Sequence, residues 1–201
     1  VKPSSLGTLA PASAMLTAIC GFLYAVSFVI LKNQVLFSLF LMLGGVFTIV
    51  VFVELHQRMM GANAAVALLA LLIGALGAAG AMAHGGYDLA NALHPPQPSP
   101  ALSDLPSAVD PRGLATFALA GLALLAWSSV LRAGFHGSGL AYLGFLSGAL
   151  LLLIYLARLI VLDASSPVVL VPALLEGFIV SPIWYVWLGL RLAGVPSNPA
   201  P

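Results

Sequence analysis

Residues 140–162 read LAYLGFLSGALLLLIYLARLIVL, 23 positions with one charge, Arg158. A bilayer core takes about 20 apolar residues of helix to cross, so this stretch alone reads as a transmembrane helix. Working outward from it, five more stretches come close to the same length, at 13–31, 35–53, 63–83, 114–131 and 168–190. The scarce charges fall almost entirely between these stretches or at their ends. The expected fold is all-α, a polytopic transmembrane helix bundle of about six spans.

Composition points the same way. The chain is 61% hydrophobic and 6% charged, with a mean hydropathy of +1.10, whereas soluble domains carry roughly 25% charged residues. No stretch is left over for a soluble domain, because 85–113 is too short and too proline-rich to build a core, so residues 1–201 read as a single membrane domain. A net charge of +1 gives no reason to expect nucleic acid, and the expected partner is the lipid bilayer. The lone Cys20 lies inside the first apolar run, where a thiol behaves as a small hydrophobe and has no disulfide partner. That run, from Met15 to Leu31, exceeds the roughly 7–15 apolar residues of a secretory signal and has no small-x-small site after it, so it is expected to be retained. Val1 stands where a methionine would, so a few leading residues are expected to be missing.

With six spans both termini share a side, and that side carries Lys2, Arg58, Arg132 and Arg191 against Lys32 and Arg112 opposite, with Arg158 near the opposite side's boundary, a modest bias. Positive residues are held on the cytoplasmic side, which places both ends inside and the proline-rich loop of 85–113 outside, together with Asp88, Asp104, Asp110 and Asp163. Within that loop, 94–100 (HPPQPSP) cannot continue a helix, because proline lacks an N–H and restricts the residue before it. Asp110-Pro111 and Ser166-Pro167 each put a capping residue before a proline, the order that opens a helix. Gly134, Gly137 and Gly139 mark the turn between the fourth and fifth spans. The Gly and Pro positions of spans one to three and four to six do not correspond, so no inverted repeat is visible.

Small residues let helices approach closely in lipid. Ala70, Gly74, Gly77, Gly80, Ala81 and Ala83 make the third span the expected central helix, Gly144 and Gly148 give the fifth a small-xxx-small face, and Gly44-Gly45 gives the second a flat patch. Packing within the chain is the favoured use of these faces, and self-association the other. Trp184, Tyr185 and Trp187 near the end of span six fit an interfacial aromatic belt, or a wall for a quinone or pigment.

Polar residues gather toward the outer face. His84, Tyr87, Asp88, Asn91 and His94 end or follow span three, Arg158 lies about one turn inside span five, and Asp163 ends it. Glu176 sits nine residues after Pro167, roughly 13 Å along the helix and near mid-bilayer, where ionisable groups are functional candidates by default. Three readings stay open for it: an ion pair with Arg158, with Tyr155 or Tyr185 adding a hydrogen bond; a protonated carboxyl facing a packed interior or cavity; or a proton or substrate pathway. If the helix runs on through Gly85-Gly86, His84 and Asp88 share a face, and with His94 they are weak metal-ligand candidates; a zinc or iron site would want another strong ligand. Turn and capping duty explains Asp88 and Asn91 equally well. His84, with Gly80 four residues before it, has a further reading as an axial ligand for haem or chlorophyll, although no cofactor is expected. On the inner side Glu54, His56 and Arg58 read as a solvated helix end with an i,i+4 pair.

Taken together, Ala83-His84-Gly85-Gly86-Tyr87-Asp88 after a glycine-rich span, the proline-rich loop, Asp110-Pro111-Arg112-Gly113 and Pro182-Ile183-Trp184-Tyr185 resemble small polytopic bacterial integral membrane proteins of unknown function. The resemblance implies no activity, and places the chain as a multi-pass protein of a bacterial cytoplasmic membrane. No catalytic motif is complete. The leading expectation is a non-catalytic accessory or scaffolding subunit of a larger respiratory or photosynthetic membrane complex, meeting other membrane subunits through its span faces and holding no closed polar pocket. The alternative is a carrier or binding protein for a proton, lipid, quinone or other small molecule that uses Glu176 and Arg158. An intramembrane metal-dependent enzyme built on His84, Asp88 and His94 comes third.

Overall fold

The computed structural model describes residues 5–94, 109–134, 138–161, 163 and 166–194, in helices and the short turns that join them. Lys2, 95–108 of the proline-rich segment with Asp104, Gly137 of the expected inner turn and Leu162 lie outside the described residues.

Helix α1, Ser5–Ala25, widens into a π-helical turn at Val26–Ile30. Asn33 starts the next helix: its backbone is extended, and its side-chain oxygen accepts from the Leu36 N–H at 3.1 Å, the bond that satisfies an orphan donor of a first turn. Helix α2, Gln34–Leu93, is 60 residues long, which drawn straight would be about 90 Å, three times a bilayer core. It is broken at Asn63 (φ −162°, ψ 94°), which repeats the Asn33 device by accepting from the Val66 N–H at 3.1 Å. Residues 64–93 return antiparallel along 34–62, with Gly45 against Ala78 and Met82, Gly74 against Phe52, and Gly85 against Ser38 and Met42.

Both arms outrun their expected ends. The first continues past Val53, because Glu54 to Met60 holds good helix formers and no breaker. The second runs through Gly85-Gly86, so 85–93, expected as loop, is helix: Gly85 serves close packing, since a Cβ there would stand 2.6 Å from the Ser38 carbonyl oxygen.

A π-helical turn at Leu114–Leu119 leads into α3, Ala120–Gly134, and α4 follows at Ser138–Ile160. Helix α5, Pro167–Leu175, a π-helical turn at Glu176–Val180, and α6, Ser181–Gly194, form one rod. Pro167 opens that rod as expected, although the Ser166 carbonyl, and not its side chain, takes the Val169 and Leu170 N–H groups. Pro182, directly after the π turn, cannot donate to the carbonyl four residues back, a local reason for widening there. Among the described residues five helices are long and apolar enough to cross a membrane, α2 and the α5–α6 rod each counting once.

Helix α1 packs on α2 and α6, α2 on α3, α3 on α4, and α4 on α5. The arm 64–93 lies between 34–62 and α3, with a Gly77 Cβ position only 3.0 Å from the Ala120 nitrogen. Gly121 and Gly148 join α3 to α4 back to back: a Cβ on either would stand 2.8 and 2.7 Å from the other's carbonyl oxygen. These small-residue faces are used within the chain.

Phe52, Leu55, Trp127, Leu131, Trp184 and Leu188 form the centre of the core. Trp184 and Tyr185 are thus buried, which corrects their reading as an interfacial belt. Gly144 leaves room for the indole, whose Nε1 donates to the Leu140 carbonyl at 3.1 Å. Outward positions such as Ile30, Leu72, Leu76, Ile160, Ile183 and Leu190 are each at least half exposed, the pattern of a bundle solvated by hydrocarbon and not by water.

Candidate functional site

At the end of the bundle where α3 begins, Arg112 (φ 68°) and Gly113 (φ 80°) both take left-handed backbone, which glycine adopts freely and arginine only at a cost. The reversal folds Asp110 back over the start of the helical turn at Leu114–Leu119. Its carboxylate accepts from the Ala115 N–H at 3.0 Å, the Thr116 N–H at 2.9 Å and the Thr116 hydroxyl at 2.7 Å. Asp110 therefore caps as expected, but across four intervening residues. Burial would raise its pKa; the nearby His84 ring and the hydrogen bonds from Thr116 and Ala115 outweigh burial and hold it well below the ordinary carboxylate range.

His84 joins this cap to α2. Its Nδ1 lies 3.2 Å from Thr116 Oγ1 and 3.8 Å from Asp110 Oδ2, and its Nε2 is 3.1 Å from Asp88 Oδ2. The one hydroxyl proton of Thr116 goes to Asp110, so Oγ1 is left to accept and His84 Nδ1 to donate. Both ring nitrogens are thereby engaged, and the Ala115 methyl fills the space beside Gly80, so the surroundings of His84 do not suit the flat macrocycle considered for it. His94, ten residues on and about 15 Å along the helix, does not join His84 and Asp88; Asp110 takes that place. Among the described residues no group of three or more His, Cys, Asp or Glu is placed to hold a metal ion.

Arg158 points into the same end. Its guanidinium stands 5.3 Å from the centre of the Phe117 ring, within reach of the electrostatic influence of Tyr24, Asp110 and Arg112. No ion pair reaches it among the described residues.

Glu176 lies far below. The first residue of its π turn, it accepts through Oε1 from the buried Ser147 hydroxyl at 2.5 Å, while Oε2 is buried with no hydrogen-bond partner among the described residues. Ser147 precedes Arg158 by eleven residues of α4, about 16 Å along the axis. That depth corrects the expected Arg158–Glu176 pair: the two helices are antiparallel neighbours, but their register sets the charges apart. Tyr185 stands beside Glu176 and Thr48, whereas Tyr155 hydrogen-bonds to neither Arg158 nor Glu176 among the described residues.

Between these two levels is a cavity of about 420 Å³, bordered by every spanning helix. His84, Asp88, Arg158, Asp163, Glu176 and Tyr185 all border it; Tyr87, Asn91, His94 and Tyr155 do not. Its walls are otherwise mostly apolar, with Phe28, Phe37, Phe117, Leu151, Ile154 and Leu170 among them, and Gly21, where a Cβ would meet nothing within 4 Å, leaves space on the α1 side. Sequence reasoning missed Tyr24, Thr116, Phe117 and Ser147 as parts of the site.

At the opposite end Arg58 Nε meets Glu54 Oε1 at 2.6 Å, and a second guanidinium nitrogen donates to the Leu192 carbonyl at 3.1 Å. The pair forms as expected, but Glu54 is 2% exposed, a correction to its solvated reading: α6 ends on top of it. No protein family, curated protein or solved structure matches this chain significantly.

Proposed function

We propose that the protein crosses a bacterial cytoplasmic membrane six times, with both termini inside, and acts there as a non-catalytic binding or carrier protein for a small amphipathic molecule. The break at Asn63, which turns α2 into two antiparallel arms, supports six crossings. Arg58, Arg132 and Arg191 belong to the end of the bundle where Arg58 meets Leu192, with Lys32, Arg112 and Arg158 at the other; Lys2, which six crossings put on the side of Arg58, makes the sequence count four against three, and on that modest excess we read the first end as cytoplasmic.

The observation that carries the functional reading is the cavity. Its volume falls within the about 300–1,000 Å³ of small-molecule sites, and its few polar groups lie at its two ends, the arrangement that orients an amphiphile. An accessory subunit without a closed polar pocket fits this interior less well, and the glycine faces that would have docked partner subunits are taken up by internal contacts.

Gly21 gives the test. It borders the cavity, and a Cβ there would meet nothing within 4 Å, so Gly21→Phe fills space without a backbone clash. Protein purified in mild detergent is extracted with organic solvent, and the extract is analysed by mass spectrometry. The wild type is expected to retain a small amphiphile in near-stoichiometric amount that Gly21→Phe loses while remaining folded. Identical extracts from both proteins would refute the binding reading.

A further inference from the structure

Resting on that reading of the cavity, we infer that its occupant is a single-chain amphiphile with an oxyanion head, a carboxylate or a phosphate monoester, held at Arg158 with its chain directed toward Glu176.

Arg158 stands two residues from the end of α4, at the border of the cavity. Asp88 is engaged by His84, Asp110 by Ala115, Thr116 and the nearby His84 ring, and Asp163, which also borders the cavity, forms no ion pair with Arg158 among the described residues. Its guanidinium faces the Phe117 ring instead. Asp110 acts on Arg158 only at a distance and no carboxylate pairs with it directly among the described residues; a half-buried cation so placed is unfavourable, and five N–H donors in a planar fork fit a carboxylate or phosphate by two parallel bonds. Below Arg158 the wall is built from Leu151, Ile154, Val169, Leu170 and Ala173, down to the level of Ser147 and Glu176 about 16 Å deeper. A path this long, in a cavity this small, suits one chain and not the two of a bilayer phospholipid.

The probes are radiolabelled dodecanoate and dodecyl phosphate, with dodecanol as the uncharged control. Binding is measured to protein in phosphatidylcholine nanodiscs after subtraction of uptake by protein-free discs. Dodecanoate and dodecyl phosphate are expected to bind about tenfold or more tightly than dodecanol. Arg158→Gln should remove that advantage, bringing dodecanoate and dodecyl phosphate down to the level of dodecanol, and Gly21→Phe should abolish all three. If dodecanol binds wild-type protein as tightly as dodecanoate, and Gly21→Phe still abolishes both, the oxyanion head is wrong and the cavity reading stands. If none of the three binds, both fall. Competition against dodecanoate by phosphatidylglycerol included in the discs, lost in Arg158→Gln, would keep the oxyanion at Arg158 but overturn the single chain in favour of a bilayer headgroup. The comparison of dodecanoate with dodecanol on the wild type decides the proposal even if Arg158→Gln does not fold.

Discussion

Asp110 shows how one side chain can hold the entrance of a buried site in place. Its folded pKa lies below its unfolded one, so its hydrogen bonds contribute stability above the ordinary aspartate value of about 4. That contribution is lost as pH falls from there toward the folded value. Melting in detergent is expected to show a decline below about pH 4 that Asp110→Asn flattens, and Asp110→Ala should cost about 0.5–2 kcal/mol, the usual worth of a capping side chain. At the deep end, Ser147→Ala strips the Glu176 carboxyl of its one hydrogen bond and should destabilise by about 1–3 kcal/mol. Glu176→Gln keeps an oxygen for Ser147 and should fold normally. Glu176 was legible from the sequence because a carboxyl in so apolar a stretch is conspicuous, and Ser147 was not, because a lone serine among leucines carries no such signal. The pairing of Glu176 with Arg158 failed for a related reason: counting residues from two helix ends assumes the ends are level, and the Ser147 contact sets the register differently.

Glycines sort the helices into those that touch and those that border open space. A Cβ at Gly148 would stand 2.7 Å from the Gly121 carbonyl oxygen, so Gly148→Ala is expected to push α3 and α4 apart and lower the melting temperature. Gly21 meets nothing, and Gly21→Ala should stabilise α1 by about 0.5–1 kcal/mol through helix propensity alone. Paired thermal melts check both, and equal shifts in the same direction would contradict the packing described. The central place of residues 64–93 was readable from their run of small residues. The continuation of both arms of α2 was not, because the loop rule gave Gly85-Gly86 and the polar 54–60 stretch more weight than the contacts that keep them helical. Trp184 illustrates the same limit, since its burial depends on Gly144, forty residues away in the chain.

For the molecule as a whole, the apolar spans were plain in the sequence and the cavity was not. Helix lengths follow from local composition, whereas a cavity is the residue of many side chains failing to meet: His84, Asp88, Arg158, Asp163, Glu176 and Tyr185 of its border are legible as site candidates, while Gly44, Gly45, Gly74, Gly77 and Ala81 read as packing positions. The proposed six-span topology puts the Arg158 end at the outer leaflet and the Asn63 turn in the cytoplasm. In a Cys20→Ala background, single cysteines at Gly61 and Ser99 can be treated in intact cells with a membrane-impermeant maleimide. Labelling of Ser99→Cys at once, and of Gly61→Cys only after permeabilisation, is the expected result; the reverse pattern, or equal labelling of both in intact cells, would contradict a six-span chain with its termini inside.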